Sequence, residues 1–168
     1  MPLQPLDIKK SSSQFGECVV MVSASHEGKD NCMPASWAVA ASFDPMMVSV
    51  HVGTGKYTDE LIRKSGVFGA SILADDQGDI STYAGTRSGR DEDKFTKVPN
   101  FRAKELDVIL VDECVAALAC KVVKTVEAGD HTMFIGEVKE AYYDPEKSPL
   151  MVFRGDYRKL GENMGAYR

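Results

Sequence analysis

The chain has 168 residues, 43% of them hydrophobic and 27% charged, the balance of one globular domain with a sizeable core. Its formal net charge of −5 argues against a nucleic-acid binder, which presents a basic face. No apolar run approaches the roughly 20 residues that cross a bilayer; the longest stretch, residues 108–126, carries Asp112, Glu113, Lys121 and Lys124.

The opening segment, Met1-Pro2-Leu3-Gln4-Pro5-Leu6, has no positive region followed by an apolar one, so it does not read as a signal peptide. Four cysteines, Cys18, Cys32, Cys114 and Cys120, form no C-x-x-C pair. Reduced thiols and a cytoplasmic protein are the expectation. There is no internal repeat, and only residues 9–14, with Ser11-Ser12-Ser13, resemble a linker.

In chain order, the valine-rich residues 18–24 predict a first strand, and Glu27 to Asn31 a polar turn. Residues 34–41 predict a second strand with many small side chains. Asp44-Pro45 turns into a third, residues 47–52. A helix follows: Thr58 can cap it, Asp59 and Glu60 suit its first turn, Leu61 and Ile62 face inward, and Gly66 ends it. Residues 68–73 predict a short buried strand and residues 78–83 a second helix. Residues 85–95 read as an ordered loop.

Residues 115–126 and 133–143 predict two long strands joined by the hairpin turn Glu127-Ala128-Gly129-Asp130. A last strand, residues 150–153, leads into a polar tail. About seven strands with few intervening helices fit a closed or split barrel better than a parallel α/β sheet.

Four local features carry chemistry, each with an ordinary structural alternative. Ala35, Ser36, Ala38, Ala40, Ala41 and Ser42 are small where strands favour bulky residues, which lets a flat ligand approach the backbone; close crossing of another layer needs the same composition. Lys56-Tyr57-Thr58 at a helix start suits a phosphate, although Asp59 and Glu60 oppose it and a capped surface helix looks the same. Arg87-Ser88-Gly89-Arg90 can wrap an anion, or the arginines can pair with Asp91, Glu92 and Asp93. His131, just after the hairpin turn, can donate to a ligand or be merely exposed. Cys18, His26, Cys32 and His51 fit no standard zinc spacing, so no metal is expected. Gly53-Thr54-Gly55-Lys56 lacks the spacing of a P-loop, and no G-x-S-x-G elbow is present.

Taken in order, several segments resemble the flavin reductase-like family of FMN-binding split β-barrels. They are Met33-Pro34-Ala35-Ser36-Trp37, Ser42-Phe43-Asp44-Pro45, Tyr57-Thr58-Asp59-Glu60-Leu61-Ile62, Gly66-Val67-Phe68-Gly69-Ala70-Ser71-Ile72-Leu73, Ser88-Gly89 and Asp93-Lys94-Phe95. Gly129-Asp130-His131-Thr132, running into Gly136-Glu137-Val138, is the most specific of the set. Pro149-Leu150-Met151-Val152-Phe153-Arg154-Gly155-Asp156-Tyr157 completes it, and the resemblance spans about residues 14–161 of a single domain.

The resemblance implies a mostly β, antiparallel, Greek-key-like split barrel with one or two short helices. It implies a homodimer with FMN, or alternatively FAD, near the subunit interface. Pro34, Ala35, Ser36 and Trp37 would lie along the ring, with Ser42 and Asp44 near the ring or ribityl chain. Thr58, Ser88, Gly89 and Lys94 would hold the phosphate or flank the ring. His131, Phe153 and Tyr157 would sit near the redox face. Ser71 stands where many members have Asn, and Ala35 where Thr or Asn is common, which puts one side-chain contact at each position in doubt.

The implied activity is electron transfer from NAD(P)H through flavin to free flavin, a ferric chelate or a protein acceptor. His131 or Lys94 would stabilise the reduced ring or orient the nicotinamide. A flavoredoxin-like electron carrier and a non-enzymatic flavin-binding module are the alternatives.

Overall fold

The structure, a computed structural model, describes residue 1 and residues 3–166. Its strands are β1 (Glu17–Cys18), β2 (Val20–His26), β3 (Lys29–Ala35), β4 (Ala38–Phe43), β5 (Met46–Gly53), β6 (Val67–Ile72), β7 (Asn100–Arg102) and β8 (Ile109–Val111). They continue with β9 (Ala116–Ala128), β10 (His131–Tyr143), β11 (Met151–Phe153) and β12 (Asp156–Arg158). Two helices interrupt them, α1 (Tyr57–Ser65) and α2 (Gly78–Thr86).

Seven strands form one antiparallel sheet in the order β3-β2-β6-β9-β10-β5-β4. Its two edge strands, β3 and β4, are consecutive in the chain and joined only by Ser36-Trp37. The sheet therefore curls until its edges meet at that connection without hydrogen-bonding along it: a split barrel, as expected. β1, β11 and β12 form a small second sheet, and β7 and β8 a two-stranded ribbon.

Side-chain alternation explains the layering. Val20, Val22 and Ala24 of β2 join Val50, Val52, Phe68, Phe134, Leu61 and Ile62 in the main core. Met21 points the other way, into a second cluster with Cys32, Leu73, Val111 and Leu150. A strand buried on both faces reads as a continuous apolar run, which is why residues 18–24 were legible. Phe68 and Phe134 are fully buried and each contributes about 2 kcal/mol of apolar burial. The four cysteines remain free thiols.

Several elements depart from the sequence expectation. The first strand is two, broken at Val19. Residues 34–41 are not one strand: β3 starts earlier, at Lys29, and the chain kinks at Ser36-Trp37, where Ala38 N donates to Ser36 O at 3.0 Å. α2 runs on to Thr86. No element is expected over β7, while β8 falls in a longer apolar run and β12 in the polar tail, because strands of three residues are too short to show a period. Thr58 does not cap α1; Lys56 occupies that position without a side-chain cap, and Thr58 lies inside the first turn, 1% exposed. Gly66 ends α1 as expected.

Candidate functional site

Two groups of the expected residues assemble, one in a cleft that Pro34 lines and one around Trp37. The first is a cleft of about 370 Å³ between β3, the start of α1 and the loop after α2. Asn31, Pro34, Thr58, Ser88, Gly89 and Lys94 lie in its wall. Lys56, Arg87 and Arg90 line it as well, so it holds four cationic side chains and no carboxylate. Such a field favours an anion.

Lys94 belongs to the framework of this cleft. It is 3% exposed, and its Nζ donates to Cys32 O at 2.8 Å and Ala84 O at 2.7 Å, tying β3 to α2. Burial lowers its pKa. Burial also pushes the Cys32 thiol up to about 12, so that group is unreactive.

Asn31 was missed in the sequence because it sits in what reads as a polar turn; it is instead mid-strand in β3. Its Nδ2 donates to Thr58 Oγ1 at 2.8 Å, while its Oδ1 is buried without a partner. Gly89 lies directly against it: a Cβ there would overlap Asn31 Oδ1, so only glycine fits without displacement. Arg87 pairs with Glu92 at 3.8 Å, one of the pairings expected for the acidic run. Arg90 pairs instead with Glu60 on α1 and stacks over Tyr57, 4.7 Å from its ring centroid.

The second group surrounds Trp37. The Ser36-Trp37 kink turns this indole outward, and its carbonyl accepts from His51 N at 2.9 Å. His131 packs on it, with ring centroids 4.8 Å apart and planes inclined by 45°. His51 meets it edge-on at 6.4 Å. Gly129, at φ 65°, forms the two-residue turn that places His131 at the start of β10, opposite Ala128. His131 Nδ1 lies 2.7 Å from Asp130 Oδ1, and this bond holds Asp130 below the usual carboxylate range. Burial, then the nearby His131, lowers the His51 pKa, with Glu17 opposing. An apolar cavity of about 550 Å³ opens beside these rings, lined by Phe15, Ser36, Trp37, Val39, His51 and Met151.

The hairpin bearing His131 is braced from α1. Arg63 donates to Asp59 Oδ1 at 3.0 Å, Glu127 Oε1 at 2.6 Å and Thr132 Oγ1 at 2.7 Å. Asp59 Oδ2 in turn accepts from Gly55 N at 3.1 Å.

Other expected residues stand apart from both groups. Ser71 is fully buried, and its Oγ accepts from Val111 N at 3.1 Å, so it serves the packing of β8. Ala35 packs against the main core. Ser42 and Asp44 lie at the end of β4 remote from Trp37 and line neither cleft. Phe153 stacks under Arg154, 4.9 Å away, and Tyr157 bonds Ser81 Oγ at 2.9 Å. Their neighbours Val152, Arg154 and Gly155 do reach a small cavity shared with Ser36 and Trp37. Among the described residues no group of three or more His, Cys, Asp or Glu could hold a metal, and no helix is long and apolar enough to cross a membrane.

The solved structure of Streptomyces globisporus C-1027 NADH:FAD oxidoreductase SgcE6 shares the fold, with a TM-score of 0.90 over 96% of this chain and 100% of that one, at 23% identity. The flavin reductase like domain family matches residues 12–161, and the chain belongs to that family. A Rhodococcus NADH-dependent flavin reductase is 33% identical over 160 residues, 93% of this chain and 86% of that protein. An uncharacterized protein of Archaeoglobus fulgidus is 39% identical over 112 residues; this match spans 66% of the chain and 63% of that longer relative.

Proposed function

We propose that this chain is a flavin reductase, holding a flavin with its phosphate in the cationic cleft and its ring toward Trp37 and His131, and taking electrons from NADH. The observation that carries this reading is the built cradle of the first cleft. Gly89 is pressed against Asn31, a buried amide oxygen lacks a partner, and four cationic side chains line the wall. An unpaired buried acceptor is costly, and a ligand hydroxyl such as those of a ribityl chain would satisfy it. The family membership and the NADH-dependent Rhodococcus relative support the same assignment.

Bound flavin would supply the redox chemistry, accepting a hydride from the reduced nicotinamide. The protein's part is to bind and orient. Ser88, Thr58 and the neighbouring cations hold the phosphate, with Lys94 fixing the wall. Trp37 offers an aromatic face, and His131, its tautomer set by Asp130, presents Nε2 toward the nicotinamide or the reduced ring. The electrons pass on to free flavin, a ferric chelate or a protein acceptor.

We further propose a homodimer. β4 is an edge strand, paired with β5 on one side only; Val39 and Phe43 on it are 64% and 92% exposed, and Val39 shares the cavity beside Trp37 with Phe15, 67% exposed. An exposed apolar edge is a liability that a second copy would cover, closing the open cavity beside Trp37.

The test is an anaerobic titration of the purified protein, reconstituted with FMN or FAD, in which NADH bleaches the visible flavin band. A protein that takes up neither flavin overturns the proposal. One that turns yellow but is reduced by neither NADH nor NADPH overturns the reductase assignment.

A further inference from the structure

A groove of about 360 Å³ lies between the β7–β8 ribbon and the joined ends of β9 and β10. It shares no lining residue with the cationic cleft or with the cavities beside Trp37. We propose that this groove docks an arginine side chain presented by a basic segment of a partner protein. The inference does not depend on the flavin-site assignment.

The floor of the groove is apolar and fixed. Val111, Cys114 and Ala117 are buried beneath it, and Phe101 and Tyr142 meet edge-to-face with ring centroids 5.0 Å apart. The Tyr142 hydroxyl donates to Glu140 Oε2 at 2.6 Å, and Glu140 is itself held by the backbone N–H groups of Lys104, Glu105 and Leu106. Ser71 Oγ accepts from Val111 N at 3.1 Å, which anchors the end of β8. Tyr143, in the same wall, is 79% exposed and offers a ring to an incoming group. A surface preformed in this way loses little side-chain freedom on binding.

The rim carries the opposite character. Asp112, Glu113 and Asp144 line it, and no cationic side chain does. Among the described residues none of these three carboxylates joins an ion pair. Asp112 Oδ1 accepts from Glu113 N at 2.8 Å and Asp144 Oδ1 from Glu146 N at 2.9 Å, so both are oriented by the backbone. Lys147 has its pKa raised by Asp76 first, then by Asp144 and Glu113, but its ammonium sits on Asp76 at 2.9 Å, outside the groove wall.

An arginine matches both parts. Its stem covers apolar surface, and its planar guanidinium stacks on a ring while forking toward carboxylates. A purely apolar side chain would strip water from the rim without pairing it, and an anion would be repelled. A second copy of this chain docking isologously would set the acidic rim against its own image. The groove is also remote from the indole–imidazole pair. Tyr143 stands 12 residues beyond His131 on β10, roughly 40 Å of extended strand. A partner seated there leaves the cavity beside Trp37 open.

The test is an NMR titration of the purified, 15N-labelled chain with acetyl-Gly-Arg-Gly-amide and with its citrulline analogue, which keeps the shape and removes the charge. The expected result is a Kd of about 1 mM for the arginine peptide, with amide shifts concentrated on Phe101, Cys114, Ala116 and residues 142–144, and none for the citrulline peptide. Glu113→Lys should weaken binding about ten-fold, and Tyr143→Ala about three-fold, with melting temperature and flavin uptake unchanged. The Tyr143 variant keeps the test informative if Glu113→Lys disturbs its turn. No shifts at the groove, or equal shifts with citrulline, overturn the proposal. Shifts spread over every acidic surface and indifferent to Tyr143→Ala also overturn it, as non-specific charge attraction. Groove shifts that follow protein concentration without peptide overturn it in favour of a second copy.

Discussion

Trp37 and His131, 94 residues apart in the chain, lie with ring centroids 4.8 Å apart. The contact depends on two separate devices: the Ser36-Trp37 kink that everts the indole, and the Gly129 turn that starts β10 at His131. Under the proposed function this pair faces the reacting end of the flavin.

His131→Ala is therefore expected to keep the fold and lower turnover with NADH by roughly ten- to hundred-fold. Trp37 fluorescence, relieved of the imidazole contact, should change as well. An unchanged rate in steady-state assays would remove His131 from the site.

Gly89→Ala is expected to weaken flavin binding by about ten-fold, because the new methyl group overlaps Asn31 Oδ1 and must displace the loop. Melting temperature should move little, since the loop is exposed. Adding Asn31→Ala removes the clash but also the unpaired acceptor, so the double variant should regain the wild-type loop conformation without regaining affinity. Fluorescence titration of flavin across the three variants measures this.

Lys94 separates a framework role from a direct ligand role. Lys94→Met leaves two buried carbonyls, Cys32 O and Ala84 O, without their donor and should cost about 2–4 kcal/mol in urea unfolding. Were Lys94 to act only on a bound ligand, stability of the unliganded protein would be unaffected.

Acid stability has a traceable source in Glu140. Partial burial raises its pKa, but the Tyr142 hydroxyl and the backbone N–H groups of Lys104, Glu105 and Leu106 outweigh this and lower it to about 2 from 4.5. A depressed carboxylate stabilises the fold fully above its unfolded pKa and loses that contribution as pH falls toward the folded value. Glu140→Gln should thus lower the melting temperature at neutral pH, and the gap to the wild type should narrow below pH 4.5 and close near pH 2. A gap independent of pH would contradict this account.

Much of this protein was legible in its sequence for identifiable reasons. β2, β5, β9 and β10 carry long valine-rich or alternating runs, and α1 combines an acidic start, an inward Leu61-Ile62 pair and a terminal Gly66. The ordered motifs from Met33 to Tyr157 pointed to the family. These are local or pairwise signals, set by period and turn chemistry. Which polar side chains are buried is not local. Ser71 and Lys94 look alike as polar residues near motifs, yet one bonds Val111 N beneath β8 and the other bridges β3 to α2. Asn31 carries no sequence signal at all, because its unpaired oxygen is created by a loop 58 residues further on closing over it at Gly89. Strand identity followed from the order of side chains along the chain; the cationic cleft arose only when the barrel's curl brought β3, α1 and the loop after α2 together.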